Sequence, residues 1–314
     1  MQYEKKRLII DCDPGIDDAL ALTFAMARPE FEILGITAVG GNAPIETTLH
    51  NALRLAELAG RTEIPVLRGL SPSQSAAFQS DGSCHGADGL GNSNLPPAVK
   101  QPGKGSAEDF IIQTLLNHET GSITIVSTGP LTNLAAAMKK NPDAMGRAKE
   151  IFSMGGAYLH GNITAVAEFN YWMDPAAAET VFSGNVPVYM VGLNTTEQVV
   201  LTKAHAEQMQ KSESAVARAL AAMLPTQFAF CEQIDSRNGM TPHDLVAMAA
   251  CLNPQLIRWV PCSVQISTTK VTRGECIIDM VDAWKLPKNC FVATDIDADE
   301  FFKLFFHTML PDMM

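Results

Sequence analysis

The chain has 314 residues, of which 46% are hydrophobic and 18% are charged, and its formal net charge is −11. These proportions are typical of a compact protein with a sizeable core. The acidic balance and the lack of a Lys/Arg block argue against a nucleic-acid partner. No apolar run approaches the roughly 20 residues that cross a bilayer, so no membrane partner is expected.

The start of the chain and its cysteines indicate a cytoplasmic protein. The apolar run at residues 8–10 is too short for the hydrophobic region of a signal peptide. The seven cysteines are scattered and form no CxxC pair, which favours reduced thiols packed as small apolar groups.

Short β-branched runs alternate with helical patterns along the first 190 residues. The spacing of apolar residues predicts strands at residues 7–12, 31–39, 64–69, 122–130, 150–156 and 186–193. It predicts helices at residues 17–27, 45–60, 107–118, 131–140 and 174–184. Further along, the pattern predicts helix at 205–224 and 243–252, short strands at 262–268, 276–281 and 290–296, and a terminal helix from about Asp297.

This alternation predicts the fold class. Strand–helix repeats imply βαβ units with right-handed crossovers. We therefore expect an α/β protein with an open, mainly parallel, doubly wound sheet flanked by helices. The C-terminal third should add a helical insertion and short antiparallel strands. No linker or repeat interrupts the pattern, so residues 1–314 are interpreted as a single domain.

Polar and glycine-containing segments follow several predicted strands. Open parallel sheets bind ligands beyond the carboxyl ends of their strands, so these segments should lie near one another. They read DCDPGIDD, VGGN, STGPLTN, MGGAY and GLN in chain order.

The first segment holds four aspartates, namely Asp11, Asp13, Asp17 and Asp18. Four adjacent carboxylates cannot all stay ionised without a compensating positive centre. A helix N-terminus contributes only about 0.3–1 kcal/mol. A hard divalent cation compensates more, and oxygen ligands suit Ca²⁺ or Mg²⁺. The alternative is that these side chains cap a helix and are solvated at the surface.

Other candidates lie farther along the chain. Glu168 and Asp174 flank an aromatic segment, and Asp244 precedes an apolar helix that it could merely cap. His85 and His243 lie in Gly- or Pro-flanked loops, where an imidazole could transfer protons near neutral pH.

With these residues in place, the chain resembles the inosine-uridine preferring family of nucleoside hydrolases over roughly residues 7–300. The segment DCDPGIDDALAL resembles the N-terminal fingerprint of that family. Further matching segments occur in the family's order, namely VGGN, CHGADGLG, STGPLTN, MGGAY, GNITAVAEFNYWMDP and PHD.

The resemblance implies hydrolysis of the N-glycosidic bond of a purine or pyrimidine ribonucleoside, one tightly held Ca²⁺, and a homodimer or homotetramer serving nucleoside salvage. It implies that Asp13 is the general base for a calcium-bound water. The implied calcium ligands are Asp13, Asp18, the carbonyl of Thr128, and Asp244. The implied ribose contacts are Asp17, Asn42, Asn162, Glu168 and Asn170, with Met154 beneath the sugar. His243 would lie near the leaving base, with His85 as a further contributor.

The residue types suit this chemistry. Cleavage of the C1′–N bond develops oxocarbenium character on the ribose, which carboxylates and amide oxygens stabilise. The chain departs from the family pattern on the base side, where Phe228 and Phe230 occupy a segment in which tyrosines are expected. Aromatic residues at helical spacing are also common in cores.

Two alternatives remain at this level. A strand ending in Asp-x-Asp also begins the haloacid-dehalogenase-type phosphatases, in which Asp11 would be the nucleophile and Mg²⁺ the cofactor. A non-catalytic, calcium-dependent nucleoside-binding protein would share the cation and diol sites without needing a base.

Overall fold

The backbone of residues 5–73 and 82–313, described by a computed structural model, forms a nine-stranded sheet with helices on both faces. The strands are β1 (Lys6–Cys12), β2 (Phe31–Ala38), β3 (Val66–Arg68), β4 (Ile123–Ser127), β5 (Glu150–Met154), β6 (Val188–Val191), β7 (Ile257–Ile266), β8 (Cys276–Asp279) and β9 (Cys290–Ile296). The helices are α1 (Ile16–Ala27), α2 (Ile45–Leu58), α3 (Ala107–Leu116), α4 (Thr132–Lys140), α5 (Pro142–Met145), α6 (Phe169–Met173), α7 (Pro175–Phe182), α8 (Leu193–Thr196), α9 (Lys203–Lys211), α10 (Ala215–Asp235), α11 (His243–Leu252) and α12 (Ala298–Met309).

Strand β1 shows why both faces of the sheet are covered. Leu8 and Ile10 join the apolar cluster that α1, α10, α11 and α12 share, whereas Ile9 joins the cluster on the opposite face. All three side chains are fully buried. A strand that is apolar on both sides is typical of the centre of a parallel sheet. The predicted doubly wound arrangement is confirmed.

The order of the strands determines where a crevice forms at the edge of the sheet. They run β3-β2-β1-β4-β5-β6-β9-β7-β8 across the sheet, so the chain moves outward in one direction after β1 and in the other after β4. Strands β1 and β4 are parallel neighbours, with Asp11 paired to Ser127. A crevice opens at such a reversal of strand order, beyond the carboxyl ends of the strands.

The C-terminal third adds two antiparallel strands, as expected. Strand β7 runs antiparallel to β9, and β8 runs antiparallel to β7. Strand β9 differs from that expectation because it pairs in parallel with β6 and so extends the parallel part of the sheet.

Several element boundaries differ from the sequence predictions, and the largest differences lie after residue 200. The predicted helix at 205–224 is two helices, since Ser214 begins α10 by accepting a hydrogen bond from the Ala217 N–H. Helix α10 continues through Pro225 to Asp235, although proline removes one backbone bond. The buried Leu224 and Phe228 on either side of it supply packing that offsets this loss. Strand β7 begins at Ile257, five residues before the predicted start.

No helix in the described part of the chain is both long enough and apolar enough to cross a membrane.

Helix α12 closes one face of the sheet by packing against α1 and α11. Its Phe301 is fully buried, whereas the adjacent Phe302 is half-buried. We expect Phe301→Ala to lower the free energy of unfolding by about 3–5 kcal/mol, because it leaves a cavity in a packed core. Phe302→Ala is the matched control and should cost less. Urea unfolding of both variants at one fixed cation concentration measures the difference, and equal losses would contradict this account of the core.

Candidate active site

A pocket of about 450 Å³ lies at the crevice beyond the ends of β1, β4 and β5. Polar groups from the strand ends form one part of its wall, and side chains of α10 and α11 form another. The sequence-predicted residues that line it are Asp17, Asn42, His85, Thr128, Met154, Asn162, Glu168, Asn170, His243 and Asp244.

Three carboxylates meet in this pocket. One carboxylate oxygen from each of Asp17, Asp18 and Asp244 lies within 4.8 Å of the others, and all three residues are buried. Asp17 and Asp18 are in the first turn of α1, and Asp244 is in the first turn of α11. Two helix N-termini therefore deliver carboxylates from distant parts of the chain to one point.

The surroundings disfavour the charged forms of these groups. Burial raises the pKa of Asp17 to about 6, and burial together with the Asp17 carboxylate raises the pKa of Asp18 to about 6. Burial and the neighbouring carboxylates raise the pKa of Asp244 well above its ordinary value. None of the ion pairs found among the described residues involves these carboxylates. No ion pair among the described residues therefore balances the charge of the cluster.

Asp13 lies beside this cluster and is fully buried. Its Oδ2 accepts a hydrogen bond of 2.7 Å from the Asn42 N–H. A side chain on Gly41 or Gly129 would overlap the Asp13 carboxylate, so both positions require glycine for this close approach. Burial and the charge of Asp18 raise the pKa of Asp13 well above its ordinary value.

The donor set fits a hard divalent cation. Asp13 Oδ1 and Asp17 Oδ1 are buried and have no hydrogen-bond partner in residues 5–73 and 82–313. Carboxylate oxygens are the ligands that Ca²⁺ and Mg²⁺ prefer. The cluster differs in one respect from the ligand set expected from the sequence, because Asp17 rather than Asp13 groups with Asp18 and Asp244.

Asp18 and Asp244 differ in whether they cap a helix. Asp18 accepts hydrogen bonds from the Gly15 N–H at 3.0 Å and from the Thr128 hydroxyl at 2.7 Å, so it caps α1 while it belongs to the cluster. Helix α11 begins after Pro242 without a side-chain cap, so the capping interpretation of Asp244 is wrong.

Hydrogen bonds hold Glu168 and Asn170, two of the ribose contacts that the resemblance implies, in place. Glu168 caps α6, and its carboxylate accepts bonds from the N–H groups of Gly156, Asn170 and Tyr171. The Asn170 side chain donates to the Thr128 carbonyl at 2.9 Å. The sequence analysis did not anticipate these structural roles.

The remaining predicted sugar contacts differ in exposure. Met154 is buried at the end of β5, whereas Asn162 is exposed at the rim and accepts a bond from the Phe169 N–H. Asp174 does not line the pocket; instead it accepts bonds from the Thr132 hydroxyl and the Ala177 N–H at the start of α7.

Both predicted histidines line the pocket, and each has one ring nitrogen engaged. His85 Nδ1 accepts a 3.1 Å bond from the Ile16 N–H, which places the proton of the neutral ring on Nε2. His243 Nδ1 lies 2.7 Å from the Thr196 hydroxyl. Burial lowers the pKa of His85 to about 4 and, together with Arg237, that of His243 to about 3. His243 is the first residue of α11 and not part of a loop.

The sequence analysis missed most of the wall formed by α10. Gln227, Phe230 and Ile234 line the pocket at helical spacing. The signal was present in the sequence, but the predicted helix ended at Leu224. Phe230 reaches the pocket, whereas Phe228 packs in the core.

Comparisons with known proteins support the same family that the sequence resembles. The model of a family described as inosine-uridine preferring nucleoside hydrolase matches residues 8–303. The chain is 36% identical over 304 residues to an inosine-uridine preferring nucleoside hydrolase of Leishmania major, covering 95% of this chain and 96% of that protein.

Solved structures of other proteins share the fold of this chain. A plant nucleoside hydrolase aligns with a TM-score of 0.92 and 32% identity, covering 97% of this chain and 99% of the other. A purine-preferring ribonucleoside hydrolase from Gardnerella vaginalis aligns with a TM-score of 0.91 and 33% identity, covering 98% of each chain.

We expect Asp244→Asn to change the free energy of unfolding in opposite directions without and with a bound cation. In chelator, Asp244→Asn should raise the free energy of unfolding, because it removes one of several mutually repelling buried charges. In the wild type, a divalent cation at 100 times its Kd should add about 2.7 kcal/mol, and the variant should lose most of that increment. Thermal and urea unfolding with and without Ca²⁺ or Mg²⁺ measure both effects.

Asp279→Asn is the matched control. Asp279 is also buried, but its carboxylate accepts bonds from the Ala283 and Trp284 N–H groups, and these bonds lower its pKa. This variant should lose stability in chelator and keep the full cation increment. A cation increment that survives Asp244→Asn unchanged would contradict the proposed site.

Proposed function

This chain belongs to the inosine-uridine preferring nucleoside hydrolase family, and we propose that it hydrolyses ribonucleosides to ribose and free base in the strand-end pocket with a bound Ca²⁺. Membership of this family makes it an enzyme that acts on the N-glycosidic bond of ribonucleosides. The observation that supports the bound cation is the cluster of Asp17, Asp18 and Asp244, of which Asp17 and Asp244 line the pocket, with Asp13 beside it.

The residues proposed to hold the cation are Asp13, Asp18, Asp244 and the Thr128 carbonyl, with Asp17 adjacent. Ca²⁺ suits them better than Mg²⁺, because it accepts more oxygen ligands and irregular geometry. When bound, a divalent cation supplies positive charge that acidifies a water molecule and anchors sugar hydroxyls.

Asp13 is the proposed general base. The Asn42 N–H occupies its Oδ2, whereas no group among the described residues donates to its Oδ1, which can take a proton from the attacking water. Ca²⁺ is a weak acidifier of water compared with Zn²⁺, so a carboxylate base remains necessary.

The ribose is proposed to lie over Met154, with its hydroxyls against Asp17, Asn42 and Asn170. No group among the described residues donates a hydrogen bond to Asp17 Oδ1, so this oxygen can accept one from a hydroxyl. Glu168 and Asn162 complete this side of the pocket. Oxygen atoms gathered here oppose the positive charge that develops on the sugar ring.

The leaving base is proposed to depart between His243 and α10. Since the surroundings keep His243 neutral, it acts as a hydrogen-bond donor to the departing nitrogen rather than as a cationic acid. The Thr196 hydroxyl at Nδ1 leaves Nε2 for this contact. His85 Nε2–H is a second donor, and Phe230 offers an aromatic face.

Other expectations from the sequence stay predictions. They are the single-domain interpretation of residues 1–314, the cytoplasmic location, the homodimer or homotetramer and the role in nucleoside salvage. The comparisons support neither alternative. The matching proteins are nucleoside hydrolases, which are not haloacid-dehalogenase-type phosphatases and are enzymes rather than non-catalytic binding proteins.

Ribonucleosides should react faster than their 2′-deoxy analogues by at least about 10²-fold in kcat/KM, because a site built to hydrogen-bond a hydroxyl rejects a substrate that lacks it. A reducing-sugar assay over uridine, inosine and their deoxy analogues measures this ratio. Equal rates would contradict the diol contacts. Phosphate released from a monoester, with no ribose from any nucleoside, would favour the phosphatase reading.

His243→Ala should slow uridine or inosine by about 10²-fold or more, the lower range for loss of a group that assists proton transfer. The same variant should slow an activated p-nitrophenyl riboside much less, because that leaving group departs without help. Steady-state rates on both substrates give the ratio. An equal loss on both would remove the leaving-group role from His243 and assign it to substrate positioning.

A further inference from the structure

Asp11 carries a fully buried carboxylate behind the pocket that the proposed chemistry does not use. Its side chain does not line the pocket. Asp11 Oδ1 accepts a 2.5 Å hydrogen bond from the Thr37 hydroxyl and a 2.7 Å bond from Asn133 Nδ2. These donors come from β2 and from the first turn of α4, so one oxygen joins three elements.

Asn133, also fully buried, extends this connection across the sheet. Its Nδ2 donates to the Ala38 carbonyl at 3.0 Å, and its Oδ1 accepts from the Leu70 N–H at 2.9 Å. The Leu70 carbonyl in turn accepts from the Gly40 N–H at 3.0 Å. The amide therefore ties the segment after β3 to the end of β2.

The loop that follows β2 holds Asp13. The Val39 N–H donates to the Cys12 carbonyl at 2.9 Å, and the Asn42 N–H donates to Asp13 Oδ2 at 2.7 Å. Asn42 Nδ2 also reaches Asp18 Oδ2 at 3.3 Å. Any displacement of residues 39–42 would therefore move the Asp13 carboxylate and a neighbour in the cluster.

The Asp11 main chain is connected to the other side of the site. Its carbonyl accepts a 2.8 Å bond from the Thr128 N–H, at the residue whose own carbonyl is a proposed cation ligand. Asp11 therefore contacts both strand-end segments that flank Asp13.

We propose that Asp11 and Asn133 are positioning residues, which fix the loop at 39–42 and thereby set the orientation of Asp13 toward the cation and the attacking water. The inference rests on the proposed roles of Asp13 and Ca²⁺. Partners that orient a ligand, without touching the metal or the substrate, typically change metal affinity or activity by about 10–100-fold when removed. Small displacements of reacting groups are similarly costly.

The chain offers a matched control for Asn133. The Asn289 side chain also makes three bonds, since its Nδ2 donates to the Phe182 and Val264 carbonyls and its Oδ1 accepts from the Val264 N–H. It lies near β7 and β9, away from the pocket. The experiment compares Asn133→Ala with Asn289→Ala in the full-length protein.

Three quantities are measured for each variant. They are the unfolding midpoint, the affinity of the chelator-treated protein for Ca²⁺ alone by calorimetry, and kcat for a ribonucleoside at saturating Ca²⁺. Both variants should lower the unfolding midpoint. Only Asn133→Ala should weaken Ca²⁺ binding and lower kcat, each by about 10-fold or more. Unchanged affinity and kcat in folded Asn133→Ala would overturn the proposal.

A second pair covers the case in which Asn133→Ala does not fold. Thr37→Val removes the hydroxyl bond to Asp11 and a longer 3.5 Å contact to the Ile10 carbonyl, and it keeps the shape of the side chain. Its control is Thr124→Val, because the buried Thr124 hydroxyl donates to Glu150 Oε1 at 2.9 Å near the opposite end of its strand. Weaker Ca²⁺ binding and lower kcat in Thr37→Val alone support the proposal, and equal values in both variants overturn it.

The experiments can contradict the proposed function and the positioning role of Asp11 and Asn133 separately. A wild-type protein that releases no ribose from any nucleoside contradicts the proposed function. The Ca²⁺ affinities of the variants then still decide whether Asp11 and Asn133 position the cluster. Conversely, an active wild type with unaffected variants contradicts only the positioning role.

Discussion

The burial of five carboxyl groups at one edge of a parallel sheet is the constraint around which this structure is organised. Asp11, Asp13, Asp17, Asp18 and Asp244 are all nearly inaccessible to solvent, and burial raises the pKa of each one. Backbone N–H groups, hydroxyls and amides satisfy only some of their oxygens. Such a cluster is stable near neutral pH if protons or a cation neutralise it, and a cation does so without removing the base that hydrolysis needs.

The two walls of the pocket have different physical origins. One wall comes from the ends of β1, β4 and β5, whose positions are fixed by a continuous parallel ladder. The other wall comes from α10 and α11, which reach the pocket from outside the sheet. Hydrogen-bonded strands hold their ends in a rigid register, whereas helix positions depend on side-chain packing. The sheet therefore fixes the polar groups at the strand ends, whereas the positions of Gln227 and Phe230 depend on how α10 packs.

Several polar residues serve the fold and the site together. Asp18 caps α1 and belongs to the carboxylate cluster, while Glu168 caps α6 and lines the pocket. Asn170 donates to the Thr128 carbonyl and also lines the pocket. A substitution at any of these positions removes a structural hydrogen bond along with a functional group. Loss of activity alone therefore cannot assign a catalytic role to them.

The sequence by itself determined the alternation of strands and helices, the parallel sheet and the presence of an acidic, glycine-rich site at the strand ends. These features depend on local patterns, since the periodicity of apolar residues and the position of Gly and Pro act over a few residues. Only the tertiary structure decided that Asp17 groups with Asp18 and Asp244, that Phe230 faces the pocket while Phe228 does not, and that Asp11 and Asn133 are joined. Those outcomes depend on contacts between segments more than 100 residues apart, or on how far a helix persists through a proline, and no local pattern encodes them.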